Sequence, residues 1–299
     1  MSKAYWLAGL AMAFSGCSAQ VAVVDPPRPL DAYFVGWNAP QAPFRIAGNL
    51  YYVGARNVAA YVLKTSDGLI LLDTGFAQTV PQIATNLKAL GMDMRQVKLI
   101  ITSHAHFDHA GGVARVKADT GATLAASAPD AALLARGGAG DFGGDGEASY
   151  ARVTADRIVR DGERVTLGDV TLTAHVTPGH TRGCTTWSFR VNDGGVARDV
   201  VYFCGTSAPG YDLVDNAEYP EIANDYRASF ATMAALPCDI ALVGHPQAID
   251  LATKAERMRD GSDNPFVDRA GCNAYLDGQR AAFEREFAKQ RSGQPPTEF

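Results

Sequence analysis

Apolar and polar positions along the chain follow two rhythms, and each marks an element. The runs "LYYVG" from Leu50, "VAAYVLKT" from Val58 and "LILLDTG" from Leu69 read as strands. Ser66-Asp67-Gly68 joins the last two as a hairpin turn signal. In "TVPQIATNLKALG" apolar residues return every three or four positions, predicting an amphipathic helix with Gly91 past its end. "VKLIIT", residues 97–102, has the near-continuous apolar character of a strand buried on both faces. "GGVARVKADTG" reads as a helix, "ATLAAS" as a strand and "PDAALLARGG" as a further helix. The glycine-rich stretch from Gly137 to Glu147 predicts a mobile connecting loop. Strands are then expected at Arg164–Leu167, Val170–Val176, Thr185–Val191 and Val200–Phe203. A helix at Tyr226–Leu236, the strand "DIALVG" and two helices ending near Arg291 complete the pattern. The alternation predicts one α/β domain in two similar halves, with apolar strands beneath helices.

Ahead of that domain lie two segments of different character. Prolines 26, 27, 29, 40 and 43 predict an extended arm over residues 20–43. The first 19 residues read as a signal peptide: Lys3 supplies the positive start, and Ala4 to Phe14 is apolar but too short to span a bilayer. Phe14-Ser15-Gly16-Cys17 resembles a lipobox, so the chain is either cleaved after Ala19 or lipidated on Cys17 as a membrane anchor. Either route predicts a periplasmic protein. The folded domain is expected over 44–299.

Composition narrows the class of function. With 299 residues, 47% hydrophobic and 20% charged, the chain can bury a full core. Its net charge of −5 and lack of a Lys/Arg-rich run give no footprint for nucleic acid. Beyond Cys17, four cysteines remain, at 184, 204, 238 and 272, and none forms a CxxC pair. In an oxidising compartment they can form up to two disulfides; the alternative is small buried thiols.

The chemistry concentrates in "TSHAHFDHAGG", residues 102–112. Three of the six histidines and one aspartate fall within 104–109, directly after an apolar strand. His104 and His106 alternate, so an extended backbone projects both to one side. Neutral imidazole and carboxylate are zinc donors at roughly 2.0–2.2 Å. A loop capping a helix through Asp108 would explain the aspartate and leave the histidines unexplained. His180 in "TPGHTRG" and His245 in "LVGHPQ" follow other apolar strands, where sites in α/β sheets gather. His104, His106, Asp108, His109, His180 and His245 together predict a centre of two metal ions. His175 lies within a strand and reads as structural.

"HAHFDH", "LLDTG", "TPGHT" and the late "GH" resemble the metallo-β-lactamase superfamily, whose fold is an αββα sandwich. "PFRIAGNLYYVGARNVAAYVLKTSDGLILLDTGF", "SHAHFDHAGGVA", "TLTAHVTPGHTRGCTTW", "LPCDIALVGHP" and "NPFVDRAGCNAYLD" resemble subclass B3, from about Pro43 to Phe287. That resemblance implies two zinc ions, His104, His106 and His180 on the first and Asp108, His109 and His245 on the second. It implies zinc-dependent hydrolysis of the amide bond of β-lactam antibiotics by a hydroxide that Asp108 orients, with no protein nucleophile. It also implies a Cys238–Cys272 disulfide and, in some members, Cys184–Cys204. Asp73 would orient a metal ligand or cap the turn at Thr74-Gly75. Trp37 on the arm would either cover the site or pack at its periphery. Gly205 stands where many relatives carry a serine; Thr206 or Ser207 would take that role, with Ser207 holding the substrate carboxylate. The partner is then a small-molecule β-lactam and the protein a monomer.

Two other readings share these residues. A lactonase or thioester hydrolase of the same superfamily would use the same ligands. A zinc-binding extracytoplasmic scaffold would hold metal without turnover, although six filled ligand positions argue for chemistry.

Overall fold

The computed structural model describes Met1 and residues 29–143, 149–260 and 263–297. Residues 2–28, which include Cys17 and the first part of the arm, lie outside the described residues, as do 144–148 of the glycine-rich loop. Among the described residues no helix is long and apolar enough to cross a membrane.

Two sheets carry the molecule. The first runs in order β1 (Phe44–Ala47), β2 (Leu50–Tyr52), β3 (Tyr61–Thr65), β4 (Gly68–Leu72), β5 (Val97–Ile101), β6 (Thr123–Ser127) and β7 (Arg157–Val159). Its first three pairings are antiparallel and its last three parallel. The second contains β8 (Arg164–Leu167), β9 (Val170–Val176), β10 (Thr185–Asp193), β11 (Val196–Phe203) and β12 (Ile240–Val243), antiparallel except for the β11–β12 pair.

Strand periodicity explains how the sheets stack. Tyr61, Leu63, Ile70 and Leu72 alternate with Val62, Leu69 and Leu71 along β3 and β4, and the two sets enter different cores. The first set meets Leu172, Ala174, Trp187 and Phe189 of the second sheet. The other packs beneath α2 (Val80–Ala89) through Val80, Ile83 and Leu87, and beneath α4 (Val113–Thr120) through Val113 and Val116. Between these helices, α3 (Phe107–Ala110) occupies one turn, and α5 (Ala128–Leu134) follows β6. On the far face of the second sheet lie α6 (Ile222–Ala234), α7 (Leu251–Arg259) and α8 (Arg269–Arg291). Phe230 and Met233 of α6, Leu251 of α7, and Leu276 and Phe283 of α8 carry their packing. The result is the expected αββα sandwich.

Two aromatic side chains bind the strand ends that matter for chemistry. The fully buried Trp187 donates its indole N–H to the carbonyl of Thr102 at 3.0 Å. Tyr61 of the first sheet donates its hydroxyl to Val243 of the second at 2.8 Å. Burying such rings contributes on the order of 2–3 kcal/mol each, and their polar tips fix where the sheets meet.

Three expectations change. The halves are unequal, because β1 and β7 add edge strands with too little alternation to be recognised from sequence. The arm is not wholly extended: α1 (Ala32–Val35) forms one helical turn in the proline-free gap between Pro29 and Pro40. The predicted helix over 111–121 begins earlier, as α3 within the histidine motif, before α4 ends at left-handed Gly121.

Candidate metal centre

Each histidine of the motif stands where a strand releases the chain. His104, His106 and His109 follow β5, His180 follows β9 and His245 follows β12. Their rings converge: His104 lies 4.7 Å from His106, 4.6 Å from His180 and 4.1 Å from His109, centroid to centroid. His109 lies 5.0 Å from His245. Candidate ligand atoms of His104, His106 and His180 all fall within 4.8 Å of one another, as do those of His104, Asp108 and His109. Asp108 also reaches His245, with its carboxylate 3.4 Å from Nε2. Asp108 therefore bridges His109 and His245, while His104 stands between the two groups.

The outer nitrogens of these rings are held, which settles what the inner ones can do. Carbonyl and carboxylate oxygens only accept, so a ring nitrogen beside one must carry hydrogen. His180 donates Nδ1–H to the carbonyl of Ser207 at 2.7 Å, and His245 donates Nδ1–H to that of Asn57 at 3.2 Å. His109 donates Nδ1–H to Asp73 at 3.0 Å. Ser103 donates its hydroxyl to Asp73 at 2.7 Å, so its oxygen accepts from His104 Nδ1 at 3.0 Å. In all four rings Nε2 faces the cluster. His106 is reversed: its Nε2 lies 3.0 Å from the Asp141 carboxylate.

Two of the inward atoms, Nε2 of His104 and Nε2 of His109, are buried without a hydrogen-bond partner among the described residues. Asp108 stands 3.3 Å from His109 Nε2, within ion-pair reach but outside hydrogen-bond geometry. Buried polar atoms left so cost about 1–3 kcal/mol each, and two in one cluster mark a place for a cation. Imidazoles and a carboxylate are the donor set of a borderline metal, and held outer nitrogens are the usual support of metal-bound histidine. The residues fit a metal.

The electrostatics agree with that reading. Burial, reinforced by neighbouring histidines, holds His104 and His180 well below the ordinary imidazole range, so both offer lone pairs. Burial also lowers His245 against the opposing pull of Asp108. For His109 burial acts downward, yet the carboxylates of Asp108 and Asp73 outweigh it and push the imidazole up to about 10. Burial raises Asp108, and the surrounding histidines overcome it and hold the carboxyl well below its usual range.

The family profile of the metallo-beta-lactamase superfamily matches residues 53–245, which includes all six candidate ligands. The chain belongs to the metallo-beta-lactamase superfamily. It is a hydrolase of that superfamily, with a histidine-rich metal site. Among solved structures it is similar to the native FEZ-1 metallo-beta-lactamase from Legionella gormanii, at 41% identity and a TM-score of 0.83. That match covers 85% of this chain and 98% of the other. It is also similar to BJP-1, a subclass B3 metallo-beta-lactamase of Bradyrhizobium japonicum, at 41% identity and TM-score 0.81, over 86% and 98% of the two chains. A hydroxyacylglutathione hydrolase from Methylobacterium sp. (strain 4-46) is 32% identical over 126 residues, 42% of each chain. The chain thus spans about two fifths of the length of that curated relative.

In this member of the superfamily Asp73 is more than a turn residue. Fully buried, with φ +55°, it accepts from the Ser103 amide at 2.6 Å and from Ser103 Oγ, His109 and the Tyr202 hydroxyl. Trp37 stands edge-on to His245 at 5.1 Å and packs with Phe34, so this part of the arm touches one candidate ligand. His175 bonds Ser188 within the second sheet, as a structural residue does. Both disulfides form, Cys184–Cys204 and Cys238–Cys272, with Cα separations of 5.8 and 6.2 Å. The bridged Cys184 and Cys204 approach His104 but offer no thiolate.

The buried Thr206 hydroxyl bonds Tyr275 at 3.0 Å and Gln279 at 3.2 Å, both on α8. Ser207 is exposed, and its carbonyl accepts from Tyr226 as well as His180. Gly205 has a physical reason: a Cβ there would meet Cδ2 of His180 at 2.2 Å. Gly244 lies under His109 in the same way, with 2.2 Å to Cε1. The sequence reading missed Ser103, Tyr202, Asp141 and the Asn57 carbonyl. Ser103 adjoins His104 and was within reach of inspection; the other three carry no signal of their own.

Proposed function

We propose that this protein hydrolyses the amide bond of β-lactam antibiotics and uses two zinc ions to do so, conferring resistance. The observation that carries the reading is the whole-length likeness to subclass B3 enzymes, 41% identical over 98% of their chains, with all six candidate ligands present. His104, His106 and His180 would hold one ion, and Asp108, His109 and His245 the other. When bound, such a pair lowers the pKa of water to about 7 and polarises a carbonyl. Asp108 can orient the attacking water, because a carboxylate has a second oxygen to accept its hydrogen. Asp73, Ser103, Ser207 and Asn57 keep the imidazoles in the tautomer that points lone pairs inward. The exposed Ser207 is the candidate for holding the substrate carboxylate. Trp37 packs edge-on against His245 at the rim of the cluster. No serine or cysteine nucleophile is needed.

The deciding assay is hydrolysis of a carbapenem and a cephalosporin by the chain starting at Gln20, with zinc and with a chelator. Turnover abolished by the chelator is the expected result. Two bound zinc ions with no lactam turnover would remove the proposal. Thioester hydrolysis is the second reading, favoured by the hydroxyacylglutathione hydrolase match over 42% of the chain; the same preparation tested on a glutathione thioester decides it. The proposal includes periplasmic location and a monomer, released after Ala19 or anchored through a lipidated Cys17. The mass of the mature N-terminal peptide distinguishes the two ends.

A further inference from the structure

The glycine-rich loop after α5 holds a carboxylate against one metal-site imidazole, and Phe142, Gly143 and Tyr150 dock beside it. Asp141 lies 3.0 Å from His106 Nε2, with side chains 8% and 20% exposed respectively. A carboxylate accepts, so His106 carries hydrogen on Nε2 and offers the lone pair of Nδ1. The other four cluster histidines do the reverse. His106 has no neighbour in its own loop equivalent to Ser103, and Asp141 comes from 35 residues away.

The loop's docking is specific. Phe142 packs edge-on against Tyr211 at 5.0 Å and Tyr219 at 4.9 Å, and the Arg182 guanidinium sits 5.3 Å over Phe142. A Cβ on Gly143 would meet the Tyr211 ring at 2.3 Å, so the backbone lies flat on that ring. Tyr211 in turn donates its hydroxyl to the carbonyl of His180 at 3.1 Å. On the return of the loop, Tyr150 donates to the carbonyl of Ala105, between His104 and His106, at 2.6 Å. The surface on which the loop docks is therefore joined to all three histidines of the first group.

We propose that Asp141 is a positioning residue for the first metal, fixing the tautomer and orientation of His106 and coupling that ion's affinity to docking of the loop. The proposal rests on the metal assignment above and not on the identity of the substrate. Its test is a chelator-competition titration of the full mature protein with Zn²⁺ and with Co²⁺, comparing Asp141→Ala, Asp141→Asn and Phe142→Ala. Asp141→Ala is expected to weaken one of the two ions by about 10–100-fold and the other by less than about threefold. Asp141→Asn should lose less, because its amide oxygen still accepts Nε2–H. Phe142→Ala should weaken the same ion without touching His106. Nitrogen NMR of the metal-free protein should show His106 as the Nε2–H tautomer, shifting to a mixture in Asp141→Ala. Unchanged affinity for both ions, equal weakening of both, or no metal binding by the parent protein would each overturn the proposal. If metal binds as expected while no lactam is hydrolysed, the substrate reading fails and the role of Asp141 stands.

Discussion

Asp73 shows how much one buried carboxylate can organise. It gathers Ser103, His109 and Tyr202 at once, and through Ser103 it also steadies His104. Asp73→Asn keeps the shape and removes the charge, so it should weaken the ion on His109 by about 10–100-fold in a chelator competition. His109 supplies a second expectation. Its pKa of about 10 means the metal-free ring is protonated at pH 8, and a metal on Nε2 must displace that proton. Metal binding at pH 8 should therefore release a proton that a pH indicator detects, and the release should shrink in His109→Asn. Affinity should rise from pH 8 to about 10 and then level. In the metal-free fold the same proton stabilises fully below pH 6.5, and that contribution disappears as pH climbs through about 10. The ligands were legible because residue type and spacing carry their chemistry. Their supports were not: a carboxylate in "LLDTG" looks alike whether it caps its own turn or reaches 30 residues ahead to Ser103.

Elements were legible where one rhythm dominated. The β3–β4 hairpin, β5, α2 and α8 follow from periodicity and glycine stops. Edge strands β1 and β7 did not, since three or four residues give alternation too little room. The loop of residues 137–143 looked like a plain connector because glycine content predicts freedom, whereas its place depends on Tyr211 and Tyr219, far along the chain. At this scale the disulfides can be separated. Cys238–Cys272 joins the start of β12 to α8 across 34 residues, away from the histidines. Cys238→Ser with Cys272→Ser should cost about 3–4 kcal/mol in denaturant melts and leave hydrolysis unchanged under native conditions. Cys184–Cys204 instead joins the His180 loop to the strand before Gly205. Its removal should lower metal affinity as well as stability.

Across the whole molecule, each metal group draws its members from both sheets. His104 and His106 leave the first sheet and meet His180 from the second; Asp108 and His109 meet His245 in the same manner. Ligands that bind only the native form stabilise it by about 2.7 kcal/mol at a hundredfold excess over Kd. A chelator should then lower the melting temperature by roughly 5–10 °C per occupied site, read in parallel thermal melts. Because His180 and His245 both come from the second sheet, the first sheet alone completes neither of the two assigned sets of three, and an unfolded chain holds neither set whole. Capture waits for the two layers to close. The compartment in which closure happens, with whatever ions are free there, decides what the enzyme is loaded with.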